Sequence, residues 1–321
     1  MPTFLRLALV AATLAAAPLL HAADFPTKPV RLLVGYSPGG ATDAVARLLA
    51  KALTERWPHP MVVENMPGAS GNIASEAVAR AQPDGYTLML AAPALAVNAS
   101  LFKKMPFDPV NDLRQVAMVA QVMNVFVVVP TLPVKTVAEF IDYAKKNPGT
   151  LNFASSGVGA SSHMAGEIFK SLTKVDIVHV PYKGTSQYVA DLVTGKVQVA
   201  FDSVPALLPH IQSGALRALA LSTPARSPLL PNVPTTTEVG LPEYQVSVWL
   251  GVMAPGKTPD AVVQALNREI NSALQSPALQ KQIADLGGYA SPWTPEEFTA
   301  FYRREIDRYR EVIVRTGASA Q

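Results

Sequence analysis

The chain has 321 residues, of which 49% are hydrophobic and 16% are charged, a composition typical of a folded globular protein rather than a disordered one. Its formal net charge is only +3 and it contains no run of lysine and arginine, which disfavours nucleic acid as a partner. Because there is no cysteine, a disulfide framework, a thiol nucleophile and a lipid-anchored cysteine are excluded.

The first 23 residues are typical of a secretory signal peptide. Arg6 precedes an apolar run from Leu7 to Leu20, and His21-Ala22-Ala23 ends with two small residues ahead of Asp24. This run is too short to span a membrane comfortably. We therefore predict that residues 1–23 are removed and that the mature protein is soluble in the periplasm.

Strand-like and helix-like segments alternate from Asp24 onward, which favours an α/β architecture with parallel sheets. Short apolar runs predict three strands in the first part of the chain, at Val30–Val34, Met61–Glu64 and Thr87–Ala91. Helical periodicity predicts one helix at Asn72–Ala81 and another whose buried face holds Val45, Leu48, Leu49, Ala52 and Leu53. The run Val116–Val129 predicts two short strands that cross into a second lobe.

The same alternation recurs in the middle of the chain. Thr136 and Glu139 form a predicted capping box for a helix that ends at Asn147-Pro148-Gly149. A strand at Leu151–Ala154 precedes a helix whose apolar face holds Ala165, Ile168, Phe169 and Leu172. Further strands are predicted at Val175–Val180, Val197–Phe201 and Leu216–Leu221.

The chain is predicted to return to its first lobe near Tyr244–Ala254. Three helices follow, each predicted to have a proline at its first position: Pro259, Pro277 and Pro295. Thr294 and Glu297 form another predicted capping box. A lobe that is entered, left and re-entered is typical of hinged binding proteins, so we predict lobe 1 at 24–125 plus 247–321 and lobe 2 at 126–246.

Two strand–turn–helix segments have similar turns, YSPGGATD at Tyr36–Asp43 and SSGVGASS at Ser155–Ser162. Small residues there leave backbone N–H groups uncovered at the positive end of a helix dipole, which is a ready site for an anion. Neither turn contains lysine or arginine. The pair predicts a small anion that is held between two lobes mainly by backbone groups.

Other polar residues near strand ends are candidates for the same site. Tyr182 and Lys183 follow a predicted strand and are expected at the rim of the cleft. Asp202 lies at the carboxyl end of Val197–Phe201, where ligands collect in α/β sheets. Asp202 is expected either to accept an N–H or O–H from a ligand or to cap the next segment. His163 is expected to be a cap or a hydrogen-bond donor to a ligand.

The motifs typical of enzymes are weak or missing. Gly157-x-Gly159 resembles the start of a dinucleotide fingerprint, but Ser162 replaces the third glycine, and no P-loop occurs. Serines lie beside His163 without a G-x-S-x-G elbow, so an exported hydrolase is kept only as an alternative. The lack of H-E-x-x-H and of cysteine disfavours a zinc site. We predict no cofactor and no metal.

At these residues the chain resembles the Bug family, the TctC-like extracytoplasmic receptors of tripartite tricarboxylate transporters. The resemblance is carried, in family order from Phe25 to about Pro255, by PTKPVRLLVGYSPGGATDAVAR, VVENMPGASGNIASEAVARAQPDGYTL, NFASSGVGASSHMAGEIF, VDIVHVPYKG and VQVAFDSVPALLPHIQSGALRALALST. It implies a Venus-flytrap architecture, in which two α/β lobes enclose a hinged cleft. It also implies an organic acid ligand, whose carboxylate is held by loop backbone, hydroxyls and ordered water.

The resemblance further implies which residues contact the ligand. In the first lobe they are Tyr36, Gly39, Gly40, Asp43, Ala91 and Pro93. In the second lobe they are Ser155, Ser156, Gly159, Ser161, His163, Tyr182, Lys183, Gly184 and Asp202. Three departures from the family pattern are predicted to border the distal part of the ligand, at Ser37, Ala91-Ala92-Pro93 and Thr185-Ser186-Gln187. The identity of the ligand therefore does not follow from any relative.

Together these observations predict a monomeric periplasmic binding protein that captures a small organic carboxylate, performs no chemistry and delivers its ligand to a membrane transporter. A sensory binding protein of the same fold, signalling to a membrane kinase, is an alternative, and an exported hydrolase is another. Receptors of TRAP transporters are a further alternative, but they usually hold the carboxylate with an arginine, and none of the candidate loops contains one.

Overall fold

The computed structural model describes residues 25–102, 104–182, 184–223 and 226–316. The predicted signal peptide and Lys183 lie outside the described residues. The strands are β1 (Val30–Val34), β2 (Met61–Asn65), β3 (Thr87–Ala91), β4 (Leu113–Val128), β5 (Asn152–Ser155), β6 (Val178–Pro181), β7 (Val199–Ser203), β8 (Arg217–Leu221), β9 (Ser247–Pro255) and β10 (Gly288–Ala290). The α-helices are α1 (Ala41–Thr54), α2 (Asn72–Ala79), α3 (Ala94–Leu101), α4 (Val137–Lys146), α5 (Ser161–Thr173), α6 (Thr185–Val193), α7 (Val204–Gln212), α8 (Asp260–Leu274), α9 (Pro277–Asp285) and α10 (Pro295–Thr316).

The first sheet has the strand order β2-β1-β3-β9-β4-β10. β1 is parallel to β2 and β3, whereas β9 is antiparallel to both β3 and β4. Helix α1 covers this sheet with a buried face that includes Val45, Leu49 and Leu53, as predicted, while Leu48 and Ala52 stay only partly buried. Among the described helices none is long and apolar enough to cross a membrane.

The second sheet has the strand order β8-β4-β7-β5-β6. β5 is parallel to β6 and β7, and β4 is antiparallel to β7 and β8. Its core is aromatic: the rings of Phe126 and Phe201 stack with centroids 4.6 Å apart, and Phe169 on α5 packs 5.2 Å from Phe201. Burial of such large rings fixes α5 against the sheet.

Strand β4 belongs to both sheets. Its residues up to Met123 pair with β9, and those from Asn124 onward pair with β7 and β8. The prediction of two short strands in this region is therefore wrong, because β4 is one strand of 16 residues. Nearly all of it is buried, and strands covered on both faces show no alternation from which length can be inferred. The predicted parallel pairing is present among β1, β2 and β3 and among β5, β6 and β7, but β4 and β9 run antiparallel to their neighbours.

Most other predicted elements are present, with ends that differ by one to three residues. β1 and β3 match their predicted bounds, and Pro277 and Pro295 begin α9 and α10 as expected. Pro259 does not begin α8: it is the N-cap, and the helix begins at Asp260. The sequence did not reveal α3, because most of its residues, ALAVNASL, are buried and the helix has no continuous polar face. Helices α6 and α7 and strand β10 were also not predicted.

The C-terminal helix α10 packs against α3, α5 and β4, and so contacts elements of both sheets. Its capping box is present as predicted: Thr294 N donates to Glu297 Oε2 at 2.8 Å, and Glu297 N donates to Thr294 Oγ1 at 3.1 Å. Further along the helix, Glu305 accepts a 3.3 Å hydrogen bond from Trp249 Nε1 on β9, and Arg315 donates to Ser171 of α5.

Candidate functional site

A cleft lies between helices of the first sheet and helices of the second. It contains two adjoining cavities, a larger one of about 660 Å³ and a smaller one of about 450 Å³. Residues at or next to the beginnings of α1, α3, α5, α6 and α7 line these cavities. The residues that line both are Tyr36, Gly40, Thr42, Ser156, Ser161, Thr185 and Val248. The cleft thus contains the two turns that the sequence singled out.

The first turn leads into α1, whose N-cap is Gly40 and whose N-terminus has no side-chain cap. The first backbone bond of the helix runs from Ala44 N to Gly40 O at 2.9 Å. Among the described residues, the N–H groups of Ala41, Thr42 and Asp43 therefore have no backbone acceptor. Since Ala41 and Thr42 line the larger cavity, this end of α1 offers donors to the cleft.

Asp43 fixes the shape of this turn from behind. Its carboxylate accepts hydrogen bonds from Gly39 N, Arg47 Nε and Asn65 Nδ2, each at 2.9 Å. The bond from Arg47 is the main reason why the pKa of Asp43 is lowered to about 2. Asp43 is buried and lines neither cavity, so it holds Gly39 in place rather than facing the cleft.

Tyr36 reaches both cavities from the end of the same sheet. Its backbone oxygen accepts a 3.0 Å hydrogen bond from Asn65 Nδ2, which ties it to the Asp43 network. Burial raises the pKa of Tyr36 to about 12, so its hydroxyl stays protonated at neutral pH. Tyr36 can therefore donate a hydrogen bond into the cleft.

The second turn leads into α5, whose N-cap is Ala160 and which also lacks a side-chain cap. The first backbone bond in this helix joins Met164 N to Ala160 O at 3.0 Å. The N–H groups of Ser161, Ser162 and His163 therefore have no backbone acceptor among the described residues. Buried Ser162 accepts a 3.0 Å hydrogen bond from Ser156 N, and the hydroxyls of the two serines are also 3.0 Å apart. Ser162 thereby orients Ser156, which lines both cavities together with Ser161.

Two histidines support this turn from inside the protein. His163 Nδ1 accepts a 3.1 Å hydrogen bond from Gly159 N, so the neutral ring carries its proton on Nε2. The ring of His179 stacks on it with centroids 4.0 Å apart. Burial lowers the pKa of His163 to about 4 and that of His179 to about 3, so both rings are neutral at pH 7.

Ser155 and His179 form a serine–histidine pair, with 2.6 Å between Oγ and Nε2. Ser155 is completely buried, and its hydroxyl also accepts a 3.2 Å bond from Gly157 N. The hydroxyl lines neither cavity, so it cannot meet a substrate in the cleft. The pair stabilises the turn instead. The described residues also contain no group of three or more histidine and acidic side chains that could hold a metal.

Asp202 lies at the far side of the larger cavity, between the beginnings of α6 and α7. Its Oδ2 accepts hydrogen bonds from Thr185 Oγ1 at 2.9 Å and from the Tyr188 hydroxyl at 2.5 Å. Its Oδ1 accepts from Ser203 N, the N-cap of α7, at 2.6 Å. Both alternatives that the sequence left open for Asp202 remain compatible with this position, since it accepts a hydrogen bond from Ser203 N at the start of the next segment and lines the cavity.

The other predicted site residues fall into two groups. Pro93, Gly159 and Gly184 line the smaller cavity. Ala91 is buried and Ala92 lines the cavity in its place, while the Tyr182 hydroxyl donates to Asp191 Oδ2 at 2.9 Å and lines neither cavity. Sequence reasoning did not select the apolar lining of the larger cavity, which consists of Ala44, Val122, Pro205, Ala206, Val248 and Leu286. These residues come from distant parts of the chain and form no motif.

Residues 45–317 match the family described as tripartite tricarboxylate transporter family receptor. The chain belongs to this family. It is 39% identical to protein BugT of Bordetella pertussis over 301 residues, which cover 93% of this chain and 92% of BugT. A relative from Cupriavidus necator, the UPF0065 protein in the gbd 5' region, is 34% identical over 96% of this chain and 94% of its own length.

Solved structures of this receptor family are similar over nearly their whole length. A periplasmic transporter is 40% identical with a TM-score of 0.80, over 92% of this chain and 99% of that one. Rpa4515 of R. palustris, determined with adipate, is 36% identical with a TM-score of 0.80 and the same coverage. MatC of Rhodopseudomonas palustris, with bound malate, is 32% identical with a TM-score of 0.77, over 90% of this chain and 100% of MatC.

These similarities confirm the periplasmic-binding-protein fold that the resemblance implied. The chain is a solute-binding receptor of the tripartite tricarboxylate transporter family, and both its family and its fold are those of receptors rather than enzymes. Receptors of this family are periplasmic and work with tripartite transporters.

Proposed function

We propose that this receptor binds a small organic acid with its carboxylate in the smaller cavity. The observation that carries the proposal is the convergence there of α1, α3 and α5, none of which has a side-chain cap at its N-terminus. The starts of α1 and α5 offer several N–H groups without a backbone acceptor and α3 adds that of Ala94, so these helix ends stabilise a negative charge. The adipate and malate in two similar receptors support a carboxylate as the ligand.

The contacts that we propose come from groups that line both cavities. The N–H groups at the start of α1 and α5, together with the hydroxyls of Tyr36, Ser156 and Ser161, donate to the carboxylate. Gly39, Gly40, Gly159 and Gly184 let the backbone approach the ligand closely, and Pro93 lines the smaller cavity beside them. Asp43, Ser155, His163 and Tyr182 act as positioning residues behind this layer. A contact by Lys183 remains a proposal from the sequence alone.

We propose further that each sheet forms the centre of one lobe, with lobe 1 at 24–125 plus 247–321 and lobe 2 at 126–246. The change of partner along β4 between Met123 and Asn124, and the start of β9 at Ser247, support a hinge close to these bounds. A ligand favours the closed arrangement only through contacts that exist when both lobes meet it. The closed, monomeric receptor, exported by its signal peptide, then delivers the acid to the membrane subunits.

The proposal is tested with refolded mature protein that has been freed of ligand. Mono-, di- and tricarboxylates, amino acids and aromatic acids are screened by thermal shift, each beside its neutral amide. A ligand at 100 times its dissociation constant adds about 2.7 kcal/mol, which raises the melting temperature by several degrees. We expect a shift with an acid and none with its amide. Equal shifts with acid and amide, or turnover of an ester panel, would contradict the proposal.

A further inference from the structure

We infer that the ligand carries a single carboxylate and an uncharged, largely apolar tail that extends into the larger cavity. This inference rests on the proposed function, because it assumes that the carboxylate occupies the smaller cavity. It concerns the opposite end of the ligand, where the structure places an internal negative charge and an apolar wall.

Asp202 already occupies the second place in the cleft that would suit an anion. Helices α6 and α7 both begin beside the larger cavity, and both lack a side-chain cap. The Asp202 carboxylate accepts from Ser203 N at the start of α7 and from the hydroxyl of Thr185 at the start of α6. Asp202 therefore places a negative charge of the protein itself at the start of α7 and beside the first residue of α6. The helix starts that line the smaller cavity, those of α1, α3, α5 and α6, remain for a charge on the ligand.

Apart from the start of α1, the remaining surroundings of the larger cavity also disfavour a second anion. Val122, Val248, Pro205 and Ala206 form an apolar wall, and in the described part of the chain no lysine or arginine lines either cavity. Leu286, on this wall, is the C-cap of α9, so the negative end of that helix dipole lies at the cavity. A second carboxylate would lose its hydration here beside Asp202, whereas an alkyl or aryl tail would gain from burial.

The direct test is a comparison of straight-chain acids of equal length by isothermal titration calorimetry. Butanoate, hexanoate and octanoate are titrated into ligand-free protein beside succinate, adipate and suberate. We expect each monocarboxylate to bind at least 10-fold more tightly than its dicarboxylate, with affinity rising as the tail lengthens. Dicarboxylates that bind equally well or better would overturn this inference and leave the proposed function intact. If no acid of either series or of the wider screen binds, both fail.

Two substitutions test the cause of the preference. Asp202→Asn removes the charge with little change of shape, and we expect it to improve adipate binding relative to hexanoate at least 3-fold. Its control, Asp176→Asn, makes the same charge change at an exposed position outside the cleft and should leave the ratio unchanged. An unchanged ratio in a folded Asp202→Asn protein would show that the charge of Asp202 does not select the ligand.

The second substitution keeps the test valid if Asp202→Asn fails to fold. Leu286→Lys adds a cation to the half-buried wall, and we expect it to reverse the preference, so that adipate binds more tightly than hexanoate. Val314→Lys, which adds the same cation at an exposed position that lines neither cavity, should keep the preference of the native protein. A Leu286→Lys protein that still prefers hexanoate by the native ratio would mean that the tail does not lie in the larger cavity.

Discussion

Ser156 and Ser162 lie in one turn, yet their hydroxyls serve different purposes. Ser162 is buried and accepts a hydrogen bond from Ser156 N, whereas Ser156 lines both cavities of the cleft. Tyr36 and Asp43 differ in the same way in the first turn, since Tyr36 faces the cleft and Asp43 holds the turn from behind. Each turn therefore combines a residue that lines the cleft with a residue that holds the backbone of the turn.

Replacement of Ser156 by alanine should weaken carboxylate binding without unfolding the protein. A hydrogen bond to a charged group contributes about 1.5–3 kcal/mol, so we expect a loss of roughly 10- to 100-fold in affinity by calorimetry. Ser213→Ala removes an exposed hydroxyl that donates to His210 O at 3.1 Å, away from the cleft, and serves as the control. Equal affinities of the two variants would exclude Ser156 as a ligand contact.

Gly40 should tolerate a side chain structurally but not functionally. Its φ of −81° is ordinary for any residue, and an added Cβ would meet only Ser37 O, at 3.9 Å. Because Gly40 lines both cavities, the new side chain would cover N–H groups at the start of α1. We expect Gly40→Ala to bind more weakly than the native protein and Gly40→Val more weakly still, at nearly constant melting temperature. Native affinity in Gly40→Val would argue against an anion at this helix.

The two turns could be identified from the sequence because their chemistry is local: small residues, hydroxyls and a following helix are contiguous in the chain. It could not separate residues that face the cleft from residues behind it. Ser155, Ser156 and Ser162 look alike in the sequence, and only the packing of His179 against Ser155 and of Ser162 against Ser156 distinguishes them. The apolar wall escaped prediction because Val122, Val248 and Leu286 meet only in the folded protein.

The packing of α5 against β5 and β6 depends on two histidines that are neutral at pH 7. His163 and His179 stack between β5, β6 and α5, and His163 also faces Glu167, with 4.0 Å between Nε2 and Oε1. Lys170 donates to the same Glu167 oxygen at 3.0 Å. The nearby cation and, chiefly, burial oppose protonation of His163.

Acid should therefore destabilise the protein from about pH 6.5 downward. The pKa of His163 is lowered from 6.5 to about 4, so the unfolded chain takes up the proton first, and stability is lost as the pH falls from about 6.5 to 4. The full loss from this group is on the order of 3 kcal/mol. We expect urea unfolding midpoints to fall over this range in the native protein.

The matched variant for this prediction is His163→Asn. Its amide oxygen can take the place of Nδ1 and accept the hydrogen bond from Gly159 N, but it does not titrate. The variant should lose less stability between pH 6.5 and 4 than the native protein, with His179 still contributing. His59→Asn, which changes a partly exposed histidine far from the turn, should keep the native pH dependence. If the unfolding midpoint of His163→Asn fell with pH as steeply as that of the native protein, His163 would not be a group responsible for the acid sensitivity.

Prediction succeeded for two helices with one exposed face and failed for a helix and a long strand that are nearly all buried. The amphipathic α1 and α4 were visible in the periodicity, and the buried α3 and β4 were not. The antiparallel directions of β4 and β9 also escaped, because direction in a sheet depends on partners far away in the sequence.

In the whole molecule, the two sheets share β4, and α10 contacts both α3 and α5. On each side of the cleft the two halves touch: a Cβ on Gly159 would lie 2.6 Å from Leu101 Cδ2, and one on Gly287 would lie 2.7 Å from Pro205 Cγ. Movement of one half relative to the other must therefore separate these contacts while β4 stays intact.

Ligand binding should bring the two halves together in solution. The chain has no cysteine, so Glu55→Cys in the proposed first lobe and Lys145→Cys in the proposed second lobe can be labelled without competing thiols. The labels are spin labels, and the distances between them are measured by double electron–electron resonance. We expect the mean distance to shorten and the distribution to narrow when the stabilising acid is added. A pair within the first lobe, Glu55→Cys and Lys281→Cys, is the control. An unchanged inter-lobe distribution at saturation would rule out closure as the response to the ligand.

The position of β9 between β3 and β4 has a consequence for biosynthesis. β3 is complete at Ala91, but the partner for its second edge, Ser247–Pro255, is made more than 150 residues later. A chain still emerging from the ribosome or translocon presents β3 with one unpaired edge, a surface that pairs readily with other chains. Passage through the envelope therefore favours a chaperone that keeps the nascent chain apart from its neighbours until β9 arrives.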